Sequence, residues 1–159
     1  MTKLILILMA ALAAAAAQPA IAADTVYVMR HLQKAEGTDP PLSAEGAANA
    51  QTLAARLANS GIKAIFATPT ARAMQTGEPL AKKLKITITN YDPSKPDELV
   101  KMVTKLKGRV LIVGHSNTVP DIVTRFGGTA VPLTEQDYGT VFVVTPGKKA
   151  VKQIVLKTP

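Results

Sequence analysis

The chain has 159 residues, 47% apolar and 19% charged, with 19 Lys and Arg against 11 Asp and Glu. That length suits one domain with a real core, and the chain is too apolar and too sparsely charged to be disordered. Cysteine is absent and only two histidines occur, His31 and His115, which excludes disulfide scaffolds, thiol nucleophiles, Cys-ligated metals and any three-His centre.

Lys3 is followed by an apolar run from Leu4 to Ala17, broken by Gln18-Pro19 and then by Ala20-Ile21-Ala22. A positive start, a short apolar stretch and an A-x-A site read as a secretory signal peptide over residues 1–22. Cleavage after Ala22, with Ala23 as the alternative, leaves a domain over residues 23–159 in the periplasm or the medium. The run falls short of the ~20 residues a spanning helix needs, so no stable membrane anchor is expected after cleavage.

Strands and helices then alternate. Thr25–Met29 is a β-branched, buried-type strand. Ser43–Asn59 is a helix with Leu53 and Leu57 on one face, Ser43 as N-cap and Gly61 closing it. Ala64–Ala67 is a second strand, and Thr68-Pro69 caps and opens a helix running to about Leu84. Ile86–Thr89 is a third strand, followed by a loop over Asn90–Ser94 and a helix over Pro96–Lys107 with Leu99, Met102, Val103 and Leu106 inward. Arg109–Val113 is the most hydrophobic strand and therefore central. Pro120–Phe126 is a short helix, and the stretch from Gly127-Gly128 to Gln136 reads as a loop with room to move. Thr140–Thr145 and Ala150–Leu156 flank Pro146-Gly147-Lys148 as an edge hairpin. Four βα units and a hairpin predict a three-layer α/β/α sandwich around a mostly parallel sheet.

In such a sheet, ligands bind beyond the carboxyl ends of the strands. Arg30-His31 directly follows the first strand and Gly114-His115-Ser116-Asn117 follows the fourth, while Arg72 lies in the first turn of the helix after the second. Two arginines and two histidines on one rim make an anion site that needs no metal or cofactor. A neutral imidazole can attack phosphorus, and neighbouring guanidiniums both disfavour imidazolium and hold the non-bridging oxygens. Ser116 and Asn117 would complete the cradle. A two-His zinc site with Asp92 or Asp137 lacks a close His pair to support it. The chain's formal charge of +8 favours anionic partners. Its basic stretches at Lys82-Lys83, Lys105–Lys107 and Lys148-Lys149 lack aromatic stacking surfaces and read as solvated faces, so no nucleic-acid partner is expected.

Four segments in this order resemble the histidine phosphatase superfamily, the phosphoglycerate mutase-like group, across essentially all of the mature chain. They are Val26–His31, Asp39–Gly46, Ala67–Arg72 with Gln75-Thr76, and Val113–Pro120. The resemblance, closest to compact secreted or periplasmic members, implies a phosphoglycerate mutase-like fold and a phosphohistidine intermediate on His31, with Arg30, Arg72 and His115 as the phosphate pocket. Where the family usually has Gly or Ala after the nucleophile and then an acidic residue, this chain has Leu32 and Gln33. Leu32 is expected to narrow the cradle while keeping its N–H available, and Gln33 is expected to contact substrate.

The resemblance also raises the question of the leaving-group acid, because Ser116-Asn117 stands where some members carry His-Asp. Asp92, in the loop after the third strand, is the expected acid, with Glu36, Asp39 and Asp137 as further candidates. The expected function is a metal-independent phosphatase hydrolysing a phosphomonoester or phosphoramidate, on a phosphorylated small molecule or a phosphoprotein. The alternative is a non-catalytic binder of phosphate or phosphorylated ligands using the same pocket.

Overall fold

The structure is a computed structural model that describes residues 23–129 and 131–156. The signal peptide expected over residues 1–22 lies outside the described residues. The elements are β1 (Ala23–Arg30), α1 (Ala44–Leu57), β2 (Ile62–Ala67), α2 (Ala71–Leu84), β3 (Ile88–Asn90), α3 (Pro96–Thr104), β4 (Gly108–Gly114), α4 (Val119–Arg125), β5 (Thr140–Val144) and β6 (Val151–Val155). They form one six-stranded sheet in the order β3-β2-β4-β1-β5-β6. β1 to β4 pair parallel; β5 runs antiparallel to β1 and forms the edge hairpin with β6.

Period-2 alternation in the strands builds the three layers. Tyr27 and Met29 of β1 pack with Leu53 and Leu57 of α1 and Leu80 of α2. Val26 and Val28, one residue out of phase, pack with Leu99 and Val103 of α3 and Ile122 and Val123 of α4. Each fully buried Leu or Ile on these faces contributes roughly 2 kcal/mol of transfer free energy. β4 is buried on both faces from Val110 to Val113, as a central strand must be. Among the described residues no helix is long and apolar enough to cross a membrane.

Several element ends differ from expectation. α2 starts at Ala71, not at Pro69, because the Thr68 side chain is buried and turned to His115 instead of capping the helix. The Asp39 carboxylate caps it instead, accepting from the Ala71 N–H at 3.1 Å. β3 starts at Ile88: Lys85 takes a left-handed conformation (φ 56°) and the Ile86 N–H returns to the Ala81 carbonyl, so residues 85–87 only leave the helix. α1 ends at Leu57, and Gly61 (φ 73°) serves the turn into β2. α3 stops at Thr104, and the Leu106 N–H bonds back to Val103.

α1 is an alanine-rich helix, the composition with the lowest helix cost. Ser43 caps it by accepting from the Gly46 N–H at 3.1 Å. Gly46 lets the first turn press against the segment after β1: a Cβ there would stand 2.0 Å from the Gln33 carbonyl oxygen. The Ser43 N–H donates to that same carbonyl. This close approach fixes the backbone immediately after His31. Gly46→Ala should therefore destabilise the protein by about 3 kcal/mol in urea unfolding, although Ala is the better helix former. An unchanged or raised midpoint would show that the contact does not constrain the chain.

Candidate active site

β4 lies between β1 and β2 and runs parallel to both, so the loops leaving three strands emerge side by side. Arg30 stands opposite Gly114, the His31 N–H donates to the Gly114 carbonyl at 2.9 Å, and the Thr68 N–H reaches the Val113 carbonyl at 3.3 Å. The rings of His31 and His115, far apart in sequence, meet edge to face with centroids 5.3 Å apart.

His31 Nδ1 lies 2.8 Å from the Leu32 carbonyl oxygen. A carbonyl only accepts, so Nδ1 carries the proton and Nε2 keeps its lone pair. Nε2 accepts from Arg72 Nε at 3.2 Å. Burial lowers the His31 pKa to about 4, and Arg30, His115 and Arg72 push the same way against the bond to Leu32. The ring is neutral at pH 7. His115 Nε2 pairs with the Thr68 hydroxyl at 2.9 Å. Its pKa is also lowered, by burial first and then by Arg72 and Arg30, with Glu135 opposing.

The two arginines are held differently. Arg72, on the first turn of α2, is oriented by Asp39, whose carboxylate lies 3.3 Å from Nη1. Arg30 is only 3% exposed. Its Nη1 donates to the Thr134 carbonyl at 2.8 Å, and its Nη2 to Glu135 Oε2 at 2.7 Å and to the Tyr138 hydroxyl at 3.2 Å. The Tyr138 ring lies 4.1 Å from the guanidinium carbon, a cation–π contact. Arg30 Nε is buried without an acceptor among the described residues, at a cost of about 1–3 kcal/mol.

These groups line a polar cleft of about 390 Å³ that brings together Arg30, His31, Arg72, His115, Ser116 and Asn117, as expected, with Lys34 and Glu135. Two hollows beside α2 hold none of these side chains. Among the described residues no group of three or more His, Cys, Asp or Glu could hold a metal ion.

Three expectations need correction. Asp92 does not line the cleft; it is exposed and accepts from the Ser94 N–H and hydroxyl at 2.8 and 2.7 Å. That is an Asx-type turn, and these bonds hold its carboxyl below the usual range. Gln33 turns toward α1, accepting from Asn49 and donating to Glu45, and does not reach the cleft. Leu32 does not narrow the cradle, because its side chain is fully buried in the core under α1 and α2. Its N–H is already given to the Thr76 hydroxyl at 3.0 Å. Of the remaining acid candidates, Glu36 is exposed outside the cleft lining, Asp39 serves Arg72 and α2, and Asp137 ties its own loop through Thr134.

Sequence reasoning missed Lys34, Thr68, Glu135 and Tyr138. Thr68 carried a signal, as the residue directly following β2. Glu135 and Tyr138 had only their loop, which the β1–β5 pairing carries over Arg30.

Residues 26–93 match the family model of the histidine phosphatase superfamily, branch 1. Over these residues the chain is similar to that superfamily. The fold has many solved counterparts, phosphatases and a phosphoglycerate mutase among them. The protein histidine phosphatase SixA, solved with tungstate, superposes with a TM-score of 0.65 at 19% identity, over 82% of this chain and 96% of that one. The alpha-ribazole phosphatase of Shigella flexneri gives 0.65 at 13% identity, over 83% and 95%. The phosphoglycerate mutase of Bacillus anthracis gives 0.62 at 15% identity, over 82% and 92%. At such identities the likeness is one of fold. No curated protein matches the chain significantly.

The electrostatics of His31 can be read directly in solution. In an NMR titration its ring should protonate with a midpoint near 4. Arg72→Gln should move that midpoint upward, because it removes a positive neighbour of the imidazolium. A midpoint near the free-histidine value in the native chain would contradict the buried, cation-flanked site.

Proposed function

We propose that the chain is a metal-independent phosphatase that hydrolyses a phosphomonoester or phosphoramidate through a phosphohistidine intermediate on His31. The observation that carries this reading is the neutral imidazole of His31, its tautomer set by Leu32 and its Nε2 turned toward Arg72. In the proposed reaction the Nε2 lone pair attacks phosphorus and the leaving group departs on the opposite side. Arg30, Arg72 and His115 hold the non-bridging oxygens, where charge must be stabilised in the transition state. Water then attacks the phosphohistidine, releasing inorganic phosphate and returning the electron pair to Nε2. Ser116 and Asn117 supply further polar contacts at the rim.

Exposed residues at the mouth, Lys34, Asn117 and Glu135, suit a phosphorylated small molecule or a phosphoprotein alike. The fold likeness to a protein histidine phosphatase supports a phosphohistidine-bearing protein as one substrate class. We also propose export, with cleavage after Ala22. A cut there keeps Ala23, which is buried and pairs with Gly108, in the folded domain.

The test is rapid-quench labelling together with steady-state turnover of an aryl phosphate in EDTA. The wild type should form an acid-labile phosphoenzyme, and His31→Ala should lose both the label and at least about 10³-fold in kcat/KM. Equal turnover by the two proteins would remove His31 as nucleophile. Phosphate binding without turnover or label would make the chain a binder of phosphorylated ligands instead.

A further inference from the structure

Glu135 is the one carboxylate among the residues lining the cleft. It lies in the segment between α4 and β5, whose Thr134, Glu135 and Tyr138 all converge on Arg30. One carboxylate oxygen accepts from Arg30 and the other accepts from the Ser116 hydroxyl at 2.5 Å. The carboxylate thus bridges the last residue of β1, just before His31, and the loop that carries His115. Two anionic oxygens shared between a guanidinium and a hydroxyl are what one face of a phosphoryl group would present to the same donors. A phosphoryl group reaching His31 must therefore take these donors from Glu135. The exchange requires little else to move: the Glu135 side chain is 68% exposed, whereas Arg30 is fixed in the interior.

We propose that Glu135 is the proton donor to the leaving group, set in place when the substrate's phosphoryl oxygens displace its carboxylate from Arg30 and Ser116. The proposal rests on the phosphatase reading above. In the free protein the Ser116 hydrogen bond and the Arg30 charge hold the Glu135 carboxyl below its usual range, so it is ionised. Once those donors turn to a phosphoryl dianion, both influences weaken and a negative neighbour replaces them, which favours the protonated form. The exposed carboxyl takes its proton from solvent. As the His31 Nε2–P bond forms and the ester P–O bond breaks, the leaving oxygen keeps the bonding pair and receives that proton. The alcohol departs and the carboxylate remains. In the second half, Glu135 takes a proton from the attacking water while the P–N bond breaks and its electron pair returns to Nε2.

The test compares wild type, Glu135→Gln and Glu135→Asp across alkyl and aryl phosphates of graded leaving-group pKa, with inorganic phosphate titrated by calorimetry. For Glu135→Gln the loss in kcat/KM should grow with leaving-group pKa, from roughly threefold on 4-nitrophenyl phosphate to about 100-fold on an alkyl phosphate. Glu135→Asp should restore part of it. Phosphate should bind Glu135→Gln about tenfold more tightly, because no carboxylate competes for Arg30 and Ser116. A loss of equal size across the series, or no loss, overturns the donor role, and weaker phosphate binding overturns the exchange. If the wild type turns over none of the series and forms no phosphoenzyme, the phosphatase reading falls and this proposal with it. If the wild type turns over through His31 and Glu135→Gln parallels it throughout, only the Glu135 assignment falls.

Discussion

The pairing of β4 with β1 on one side and β2 on the other places Arg30, His31, Arg72 and His115 together in the cleft. It sets the ends of three strands at one height, so that the residues following them share a rim. The bond from the His31 N–H to the Gly114 carbonyl continues that register one step beyond β1. Gly114 also has to be glycine, since a Cβ there would stand 2.8 Å from both the Thr118 and the Tyr91 hydroxyl oxygens. A one-residue slip would turn Met29 and Val113 out of their layer and carry His31 away from His115, so the packing of both layers guards the geometry of the site.

The same pairing separates what was legible in the sequence from what was not. The β-branched run of β1, the apolar run of β4 and the Ser43 cap each show within a few residues, and the two histidines stand directly after strands. Adjacency does not show that way. Periodicity reveals that a strand exists, but nothing in residues 140–144 says that β5 will lie antiparallel beside β1. That neighbour is what brings Thr134, Glu135 and Tyr138 onto Arg30. Leu32 and Gln33 failed for a related reason. Position next to His31 suggested the cleft, yet the chain turns immediately, sending Leu32 into the core and Gln33 to α1. Asp92 is a turn residue whose carboxylate is satisfied within its own loop.

Arg30 carries the main energetic tension of the site. A buried guanidinium needs acceptors and a counter-charge, since removing an ion from water costs several kcal/mol. The fold supplies the Thr134 carbonyl, the Glu135 carboxylate and the Tyr138 hydroxyl and ring, and still leaves Nε without a partner. Arg72 is in a different position. It is more exposed, its carboxylate partner Asp39 also caps α2, and its Nε–H points to the lone pair of His31. One arginine is therefore preset by the interior, while the other is set by a helix terminus.

This asymmetry has a consequence for how an anion can enter. The position of Arg30 is dictated by the strand it ends and by the core around it, so the guanidinium cannot follow an incoming group outward. Its carboxylate partner has no such constraint. Glu135 is largely in water, on a segment tied by the short-range Thr134–Asp137 contacts and by the Leu156 N–H bond to the Gly139 carbonyl. Giving up the Glu135 contact is offset once a phosphoryl dianion supplies the counter-charge that buried Arg30 needs. The cleft thus has a buried cationic floor under an exposed anionic cover, with the neutral ring of His31 beside that floor.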